Sequence, residues 1–243
     1  MKSLYPPQRE RQARDLYSLV RESAGLFEEK EYLVYKRKSE IRSLSFAELF
    51  QRVSSLGEAF LQMGLDQTPI AVIGETCPEW IITYLAAVSS GNIIVPLDRE
   101  LARDEIVGFI KKVGARVVVY SEKYAAYFDG HGEEFGEDTY FVEITPELPE
   151  GYEPEIGVPA PGHLNFEDLV AFGKSRLDLG ATLLADLVPD LSRTAAILFT
   201  SGTTGTAKGV MLSHTSLVAE INASYNMTNF HEKDVIVSVL PVH

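Results

Sequence analysis

Large apolar side chains recur every three or four positions between residues 46 and 63, the period of a helix with one buried face. The recurring residues are Phe46, Leu49, Phe50, Val53, Leu56, Phe60 and Met63. Ser45 and Glu48 have the spacing of a capping box at the start of this segment, and Gly64 is placed to end it. The pattern therefore predicts an amphipathic helix whose aromatic residues belong to the core.

Short, continuous apolar runs alternate with segments of helical spacing along the rest of the chain. The runs predict buried strands at Ile70–Ile73, Ile93–Val95, Val117–Tyr120, Ala195–Phe199 and Val235–Leu240. Helices are predicted from Pro78 toward Gly91, over about residues 102–113, through most of 165–187, and after Ser213 or Thr215. Continuous apolar strands separated by helices indicate a parallel sheet covered on both faces. The predicted fold class is α/β, a layered sandwich with a mainly parallel sheet flanked by helices.

Composition narrows the class of protein. The chain has 243 residues with 45% hydrophobic content, and no apolar run reaches the roughly 18–20 residues that span a bilayer. The first residues lack the apolar core of a signal peptide. A single cysteine, Cys77, excludes an internal disulfide and is interpreted as a packing residue next to Pro78. These features predict a reducing, cytoplasmic location. A net charge of −13 argues against a nucleic-acid partner, but it does not argue against ATP.

Candidate chemistry is concentrated in the segment Thr200–Gly209, which is rich in hydroxyl residues and glycine and contains Lys208. Glycine lets backbone N–H groups approach an anion closely, while hydroxyls and an ammonium add donors and charge. A plain turn or linker is the alternative, but apolar, strand-like runs flank the segment on both sides. The spacing fits neither the G-x-x-x-x-G-K-[ST] loop nor the G-x-G-x-x-G loop. We interpret it as a third kind of phosphate loop, with a polyphosphate as the best-matched ligand.

The stretch Phe199–His214 closely resembles the signature loop of adenylate-forming enzymes, a superfamily that includes acyl-CoA synthetases, firefly luciferase and peptide-synthetase adenylation domains. That superfamily usually has proline where this chain has Ala207. Further segments that resemble the same family are Ala71–Trp80, Gly91–Asp98 and Asp234–Pro241. The resemblance extends from about Ser45 to the end of the chain and is greatest to bacterial long-chain fatty acid–CoA ligases.

The resemblance implies that a carboxylate attacks the α-phosphorus of ATP to give an acyl-adenylate, and that coenzyme A then displaces AMP. It implies a β- and γ-phosphate cradle formed by Thr200, Ser201, Gly202, Thr203, Thr204, Gly205 and Lys208. Thr200 would also help hold Mg²⁺ with ATP, and His243 matches a position beside the acyl and adenine sites. Residues 1–243 would be the N-terminal portion of a large AMP-binding domain. A C-terminal catalytic lysine is expected beyond residue 243, so no catalytic residue is assigned within the chain.

Three alternatives remain open from the sequence: a fatty acid–CoA ligase, an adenylation domain for an amino or aryl acid with a carrier protein as acceptor, and a non-catalytic nucleotide-binding protein. The expected partners are the small molecules ATP, fatty acid and coenzyme A. The resemblance leaves room for peripheral membrane contact by the complete enzyme, and an unpaired edge at residues 235–240 would favour self-association of this chain. Among the histidines, His214 is interpreted as structural, His131 and His163 as surface-loop residues, and His231 as part of a turn.

Overall fold

A computed structural model describes residues 12–129, 134–200, 207–227 and 233–238. The strands are β1 (Glu31–Arg37), β2 (Glu40–Ser45), β3 (Pro69–Ile73), β4 (Ile93–Pro96), β5 (Val117–Ser121), β6 (Tyr140–Ile144), β7 (Gly162–Asn165), β8 (Thr194–Thr200) and β9 (Lys208–Ser213). The helices are α1 (Leu16–Phe27), α2 (Phe46–Gln62), α3 (Pro78–Ser89), α4 (Arg103–Val113), α5 (Ala125–Phe128), α6 (Phe166–Asp178), α7 (Leu183–Asp186) and α8 (His214–Met227).

Strands β3 to β9 form one sheet in the order β7-β6-β5-β3-β4-β8-β9, and every neighbouring pair is parallel except β8 and β9. Ile70 of β3 lies in register with Ile94 of β4 on one side and Val117 of β5 on the other. The sequence prediction of a mainly parallel α/β sandwich is confirmed, as are the four predicted strands that fall within β3, β4, β5 and β8.

Helices cover both faces of this sheet, so alternate residues of a central strand enter different cores. Ile70 and Val72 pack with side chains of α1, α2, α3, α6 and α8. Ala71 and Ile73 point to the opposite face, where their apolar partners include side chains of α4 and α5. A strand buried on both faces needs apolar residues at every position, which explains why β3 and β5 are continuous apolar runs.

The helix ends follow the local signals in the sequence. The Ser45 hydroxyl accepts a hydrogen bond from the Glu48 N–H at 3.1 Å, and the Glu48 carboxylate accepts one from the Ser45 N–H at 2.8 Å. The predicted capping box is therefore confirmed. Gly64 and Gly114 follow the ends of α2 and α4 with positive φ, as expected for glycines that end helices.

Helices α2 and α6 approach each other at backbone distance. A Cβ atom added to Gly173 of α6 would lie 1.8 Å from the carbonyl oxygen of Ser55 and 3.1 Å from the Cβ of Ala59, both on α2. At the edge of the same contact, Arg52 of α2 and Glu167 of α6 form an ion pair at 2.5 Å. The absence of a side chain at residue 173 is what lets these helices pack so closely.

The structure departs from the sequence predictions in three places. The hairpin β1–β2 and the strands β6 and β7 were not predicted, and His163 lies in β7 instead of a surface loop. The predicted strand Val235–Leu240 is wrong for residues 235–238, which have no regular structure and expose 88%, 71% and 76% of Val235, Ile236 and Val237. An apolar run becomes a strand only where a neighbouring backbone accepts its hydrogen bonds, and none of the described strands lies beside it. Residues 239–240, His131 and His231 lie outside the described residues.

Candidate phosphate-binding site

The β8–β9 hairpin presents the candidate loop. Strand β8 runs parallel to β4, with Ala196 in register with Ile94, and β9 returns antiparallel to β8. The loop therefore joins β8 and β9 at the carboxyl end of β8, on the edge where the other parallel strands also end. Ligands of open α/β sheets bind at that edge, because the loops there are exposed while the strands beneath them are fixed.

Thr200 and Lys208 are the two predicted phosphate-binding residues that the structure describes, and they are direct cross-strand partners. Thr200 is the last residue of β8 and Lys208 the first of β9, and both side chains are exposed. Within the described part of the chain, the Lys208 ammonium forms no ion pair. The other predicted residues lie outside the described ranges: Ser201, Gly202, Thr203, Thr204, Gly205 and His243.

Burial falls along β8 toward the loop. Ala195 and Ala196 are completely buried between the two cores, whereas Thr200 is exposed at the far end. The strand therefore has a fixed inner half and a solvent-facing outer end. This arrangement lets a hydroxyl and an ammonium meet a soluble ligand while the backbone behind them is held by the core.

An aromatic stack joins the end of β8, just before the loop, to helix α4. The Phe199 ring stacks on that of Phe109 of α4, with centroids 4.0 Å apart and planes 6° from parallel. Gly209 lies opposite Phe199 in the hairpin, and a Cβ added there would be 3.5 Å from the Phe199 ring and 3.1 Å from the side chain of Ile197. A Cβ at 209 would thus be tight only against Ile197 and would make an ordinary van der Waals contact with the Phe199 ring.

A second lysine also contacts the base of the loop. The Lys112 ammonium of α4 donates a hydrogen bond to the carbonyl oxygen of Ala207 at 3.1 Å. The same ammonium lies 5.7 Å from the centroid of the Phe199 ring, within cation–π distance. Sequence reasoning missed both Phe109 and Lys112. Both residues lie on the predicted helix over about residues 102–113. Nothing in the sequence connects them to contacts that lie 90 positions away for Phe109 and 95 for Lys112.

The turn after β3 contains a carboxylate, that of Glu75, which is paired with two neighbouring side chains. Glu75 accepts hydrogen bonds from the hydroxyl of Ser121 at 3.0 Å and from the ammonium of Lys123 at 2.6 Å. Burial alone would raise the pKa of Glu75, but these partners outweigh it and hold the pKa below its ordinary value. Glu75 is therefore an ionised, paired group that organises the turn after β3.

Cys77 and His214 have the environments of packing residues. Burial and the neighbouring Glu79 carboxylate raise the pKa of the Cys77 thiol to about 12, which makes it a poor nucleophile at neutral pH. His214 is 2% exposed at the start of α8, and burial lowers its pKa. The nearby Asp15 and Asp190 oppose that shift only in part.

Two features are absent from residues 12–129, 134–200, 207–227 and 233–238. No group of three or more His, Cys, Asp or Glu side chains there is arranged to hold a metal ion. No helix in the same ranges has both the length and the apolar character needed to cross a bilayer.

Known proteins share both sequence and fold with this chain. Crotonobetaine/carnitine–CoA ligase of Salmonella arizonae is 28% identical over 221 residues, which are 90% of this chain and 40% of that relative. The mitochondrial medium-chain acyl-CoA ligase of Homo sapiens is 27% identical over 208 residues, which are 78% of this chain and 32% of the relative. The chain thus spans less than half the length of either relative.

Solved structures extend the similarity to the fold. Acetoacetyl-CoA synthetase from Streptomyces lividans has a TM-score of 0.69 at 18% identity, covering 86% of this chain and 31% of that one. The fatty acyl-adenylate ligase of L. pneumophila, in complex with acyl adenylate and pyrophosphate, has a TM-score of 0.61 at 18% identity, covering 87% and 32%. At the level of sequence, the model of the AMP-binding enzyme family matches residues 20–243. Since that match includes nearly every residue, this protein belongs to the AMP-binding enzyme family.

Proposed function

We propose that this chain supplies the ATP phosphate-binding part of an enzyme that activates a carboxylic acid as its acyl-adenylate and transfers the acyl group to coenzyme A. The observation that carries the proposal is the β8–β9 hairpin. It places the exposed Thr200 and Lys208 side by side, on either side of a Ser-, Thr- and Gly-rich loop, at the carboxyl edge of a parallel sheet. Family membership and the acid–CoA ligase names of the relatives support the same assignment.

The chemistry explains why such a loop is needed. A carboxylate oxygen bonds to the α-phosphorus of ATP while the bond from that phosphorus to the bridging oxygen breaks, and pyrophosphate leaves with the electron pair. Two anions must meet, and negative charge grows on the leaving group. Lys208 has no ion-pair partner among the described residues, so its charge is available to offset the charge of the β- and γ-phosphates. A thiol of coenzyme A then attacks the acyl carbon and releases AMP.

The residues at the loop would bind Mg²⁺ only when ATP supplies phosphate oxygens as further ligands. Thr200 offers one hydroxyl oxygen, and Mg²⁺ in nucleotide sites is held chiefly by phosphate oxygens and water with one or two protein ligands. We therefore assign Thr200 one Mg²⁺ contact in the nucleotide complex, where the ion would offset phosphate charge. Ser201, Gly202, Thr203, Thr204 and Gly205 are proposed as the remaining phosphate donors.

The finer assignments are part of the same proposal. Residues 1–243 are the N-terminal portion of the large AMP-binding domain, and a lysine of a C-terminal domain assists adenylation. The acid is a fatty acid, and preference for long chains stays a prediction, since the named relatives include ligases for crotonobetaine or carnitine and for medium-chain acids. The acyl-site role of His243, the cytoplasmic location, membrane contact and self-association also stay predictions.

ATP–pyrophosphate exchange by the complete protein tests the phosphate assignment. Lys208→Ala removes a charge-assisted contact of about 1.5–3 kcal/mol, and we expect kcat/KM for ATP to fall roughly 10- to 150-fold. Lys174→Ala is the matched control, because Lys174 is an exposed lysine on α6 whose ion pair is with Asp178 on the same helix. Exchange rates measured with short-, medium- and long-chain fatty acids would also show which chain length the protein prefers. Equal exchange by the Lys208 variant and the control would contradict the assignment.

A further inference from the structure

We propose that Lys112, on helix α4, is a positioning residue that holds the backbone at Ala207 and Lys208, where the chain returns from the phosphate loop into β9. The proposal rests on the proposed function for its effect on ATP, but its structural part stands on the contacts alone. It assigns a role to a side chain outside the loop, on an element that contributes no predicted phosphate donor.

Helix α4 is a firm support for this purpose. Ile106 and Ile110 anchor it to the sheet with exposures of 0% and 1%, and they pack in the core beneath β3, β4 and β5. Phe109 and Lys112 are three residues apart and therefore lie on one side of the helix. From that side, both of them reach the end of β8.

The hairpin needs such a support because it lies at the edge of the sheet. Strand β9 is hydrogen-bonded to β8, and no other described strand pairs with it. Its first four residues are exposed. The Phe109–Phe199 stack holds the outgoing end of the loop, and the hydrogen bond from Lys112 to the carbonyl of Ala207 holds the returning end.

The bond to Ala207 has a specific geometric consequence. The carbonyl of Ala207 and the N–H of Lys208 belong to one planar peptide unit, so fixing the oxygen also fixes the direction of that N–H. It likewise fixes the Cα of Lys208, from which the proposed phosphate-binding ammonium projects. Lys112 therefore restrains the backbone of the residue whose ammonium is proposed to bind phosphate, without itself being required to contact ATP.

Amide hydrogen exchange and steady-state kinetics of the complete protein test this role. Lys112→Met keeps the aliphatic stem but removes the donor, whereas Lys112→Arg keeps the donor and the charge. Lys111→Met is the matched control, since it removes the neighbouring charge on the same helix, where Lys111 lies 3.6 Å from Glu134. We expect Lys112→Met to speed millisecond amide exchange at residues 207–209 and to raise KM for ATP, each roughly threefold, with kcat little changed. Lys112→Arg and Lys111→Met should resemble the wild type.

The outcomes separate this proposal from the proposed function. Equal exchange rates at residues 207–209 in Lys112→Met and Lys111→Met would overturn the positioning role, whatever the kinetics show. A raised KM with unchanged amide exchange would overturn it as well, because it would mean that Lys112 contacts ATP directly. Wild-type protein that shows no ATP-dependent activity with any acid would refute the proposed function, while the amide exchange would still decide the role of Lys112.

Discussion

Strands β3 and β9 are both short and both contain a run of three or more apolar residues, yet β3 lies in the centre of the sheet and β9 at its edge. Four of the five residues of β3 are buried, with parallel neighbours on both sides and helices on both faces. The first four residues of β9 are exposed, and Met211 there is 70% exposed. Neighbouring strands and helices, more than the apolar character of a run, therefore decide how much a strand contributes to stability. The central strands of the sheet therefore stabilise the fold, while its edge carries the loop that is proposed to bind ATP.

The largest expected effect comes from truncating matched apolar residues in these two strands. Ile70→Ala leaves a cavity in the core that Ile70 shares with α1, α2, α3, α6 and α8, and it should lower the free energy of unfolding by about 2–5 kcal/mol. Met211→Ala removes a mostly solvated side chain and should change it by less than about 0.5 kcal/mol. Urea denaturation of both variants measures the difference. Similar losses in the two variants would refute the contrast between the strands.

A smaller effect is expected at the glycines near the ends of the same strands. Gly74 follows β3 with φ +151°, and an added Cβ would lie 2.8 Å from the hydroxyl oxygen of Ser121. Gly74→Ala should therefore cost about 1–3 kcal/mol through backbone strain and crowding. Gly209→Ala in β9 meets flexible side chains at 3.1 Å and beyond, so its cost should stay near 1 kcal/mol or below. Thermal unfolding of both variants measures the difference: Gly74→Ala should have the lower Tm, and equal Tm values would contradict the expected strain at Gly74.

The smallest effect concerns acid stability at the inner end of β9, where the exposed strand gives way to the buried His214. Burial lowers the pKa of His214 below its ordinary value of 6.5, so the unfolded chain binds a proton there more readily than the folded chain. The resulting contribution to stability is fully present above the unfolded pKa of 6.5 and is lost as the pH falls from 6.5 through the lower pKa of the folded state. His214→Gln removes the titrating group, so its unfolding free energy should fall less between pH 7 and pH 5 than that of the wild type. Parallel slopes for the two proteins would show that His214 is not responsible.

Local signals in the sequence predicted much of the fold. The capping box at Ser45 and the glycines after α2 and α4 acted through neighbouring backbone, so they could be read without tertiary information. The central strands were predictable because burial on both faces demands apolar residues throughout. Strand β1 was not predicted because it is poorly buried. Its intermediate residues are Leu33, Tyr35 and Arg37 and the others are exposed, so its sequence lacks a clear alternation of apolar and polar residues.

The candidate site likewise has a part that the sequence predicts and a part that it does not. The sequence of the loop pointed to phosphate, and the positions of Thr200 and Lys208 as cross-strand partners agree with a hairpin between two apolar runs. The support from α4 could not be predicted, because the Lys112–Ala207 contact joins residues 95 positions apart. Residues 235–238 failed as a predicted strand for a related reason: pairing depends on a partner that local sequence does not specify.

The close approach of α2 and α6 at Gly173 has a consequence for how the protein is made. Arg52 and Glu167, which pair across this contact, are separated by 115 positions in the sequence. At ribosomal rates of roughly 5–20 residues per second, α2 is complete for about 6–23 s before its partner helix is synthesised. During that time α2 lacks the helix that approaches it at Ser55 and Ala59 in the folded protein, and the apolar core residues beside them are less well covered. Nascent chains arrested between α2 and α6 should therefore recruit chaperones that recognise exposed apolar segments, and chains that include α6 should release them.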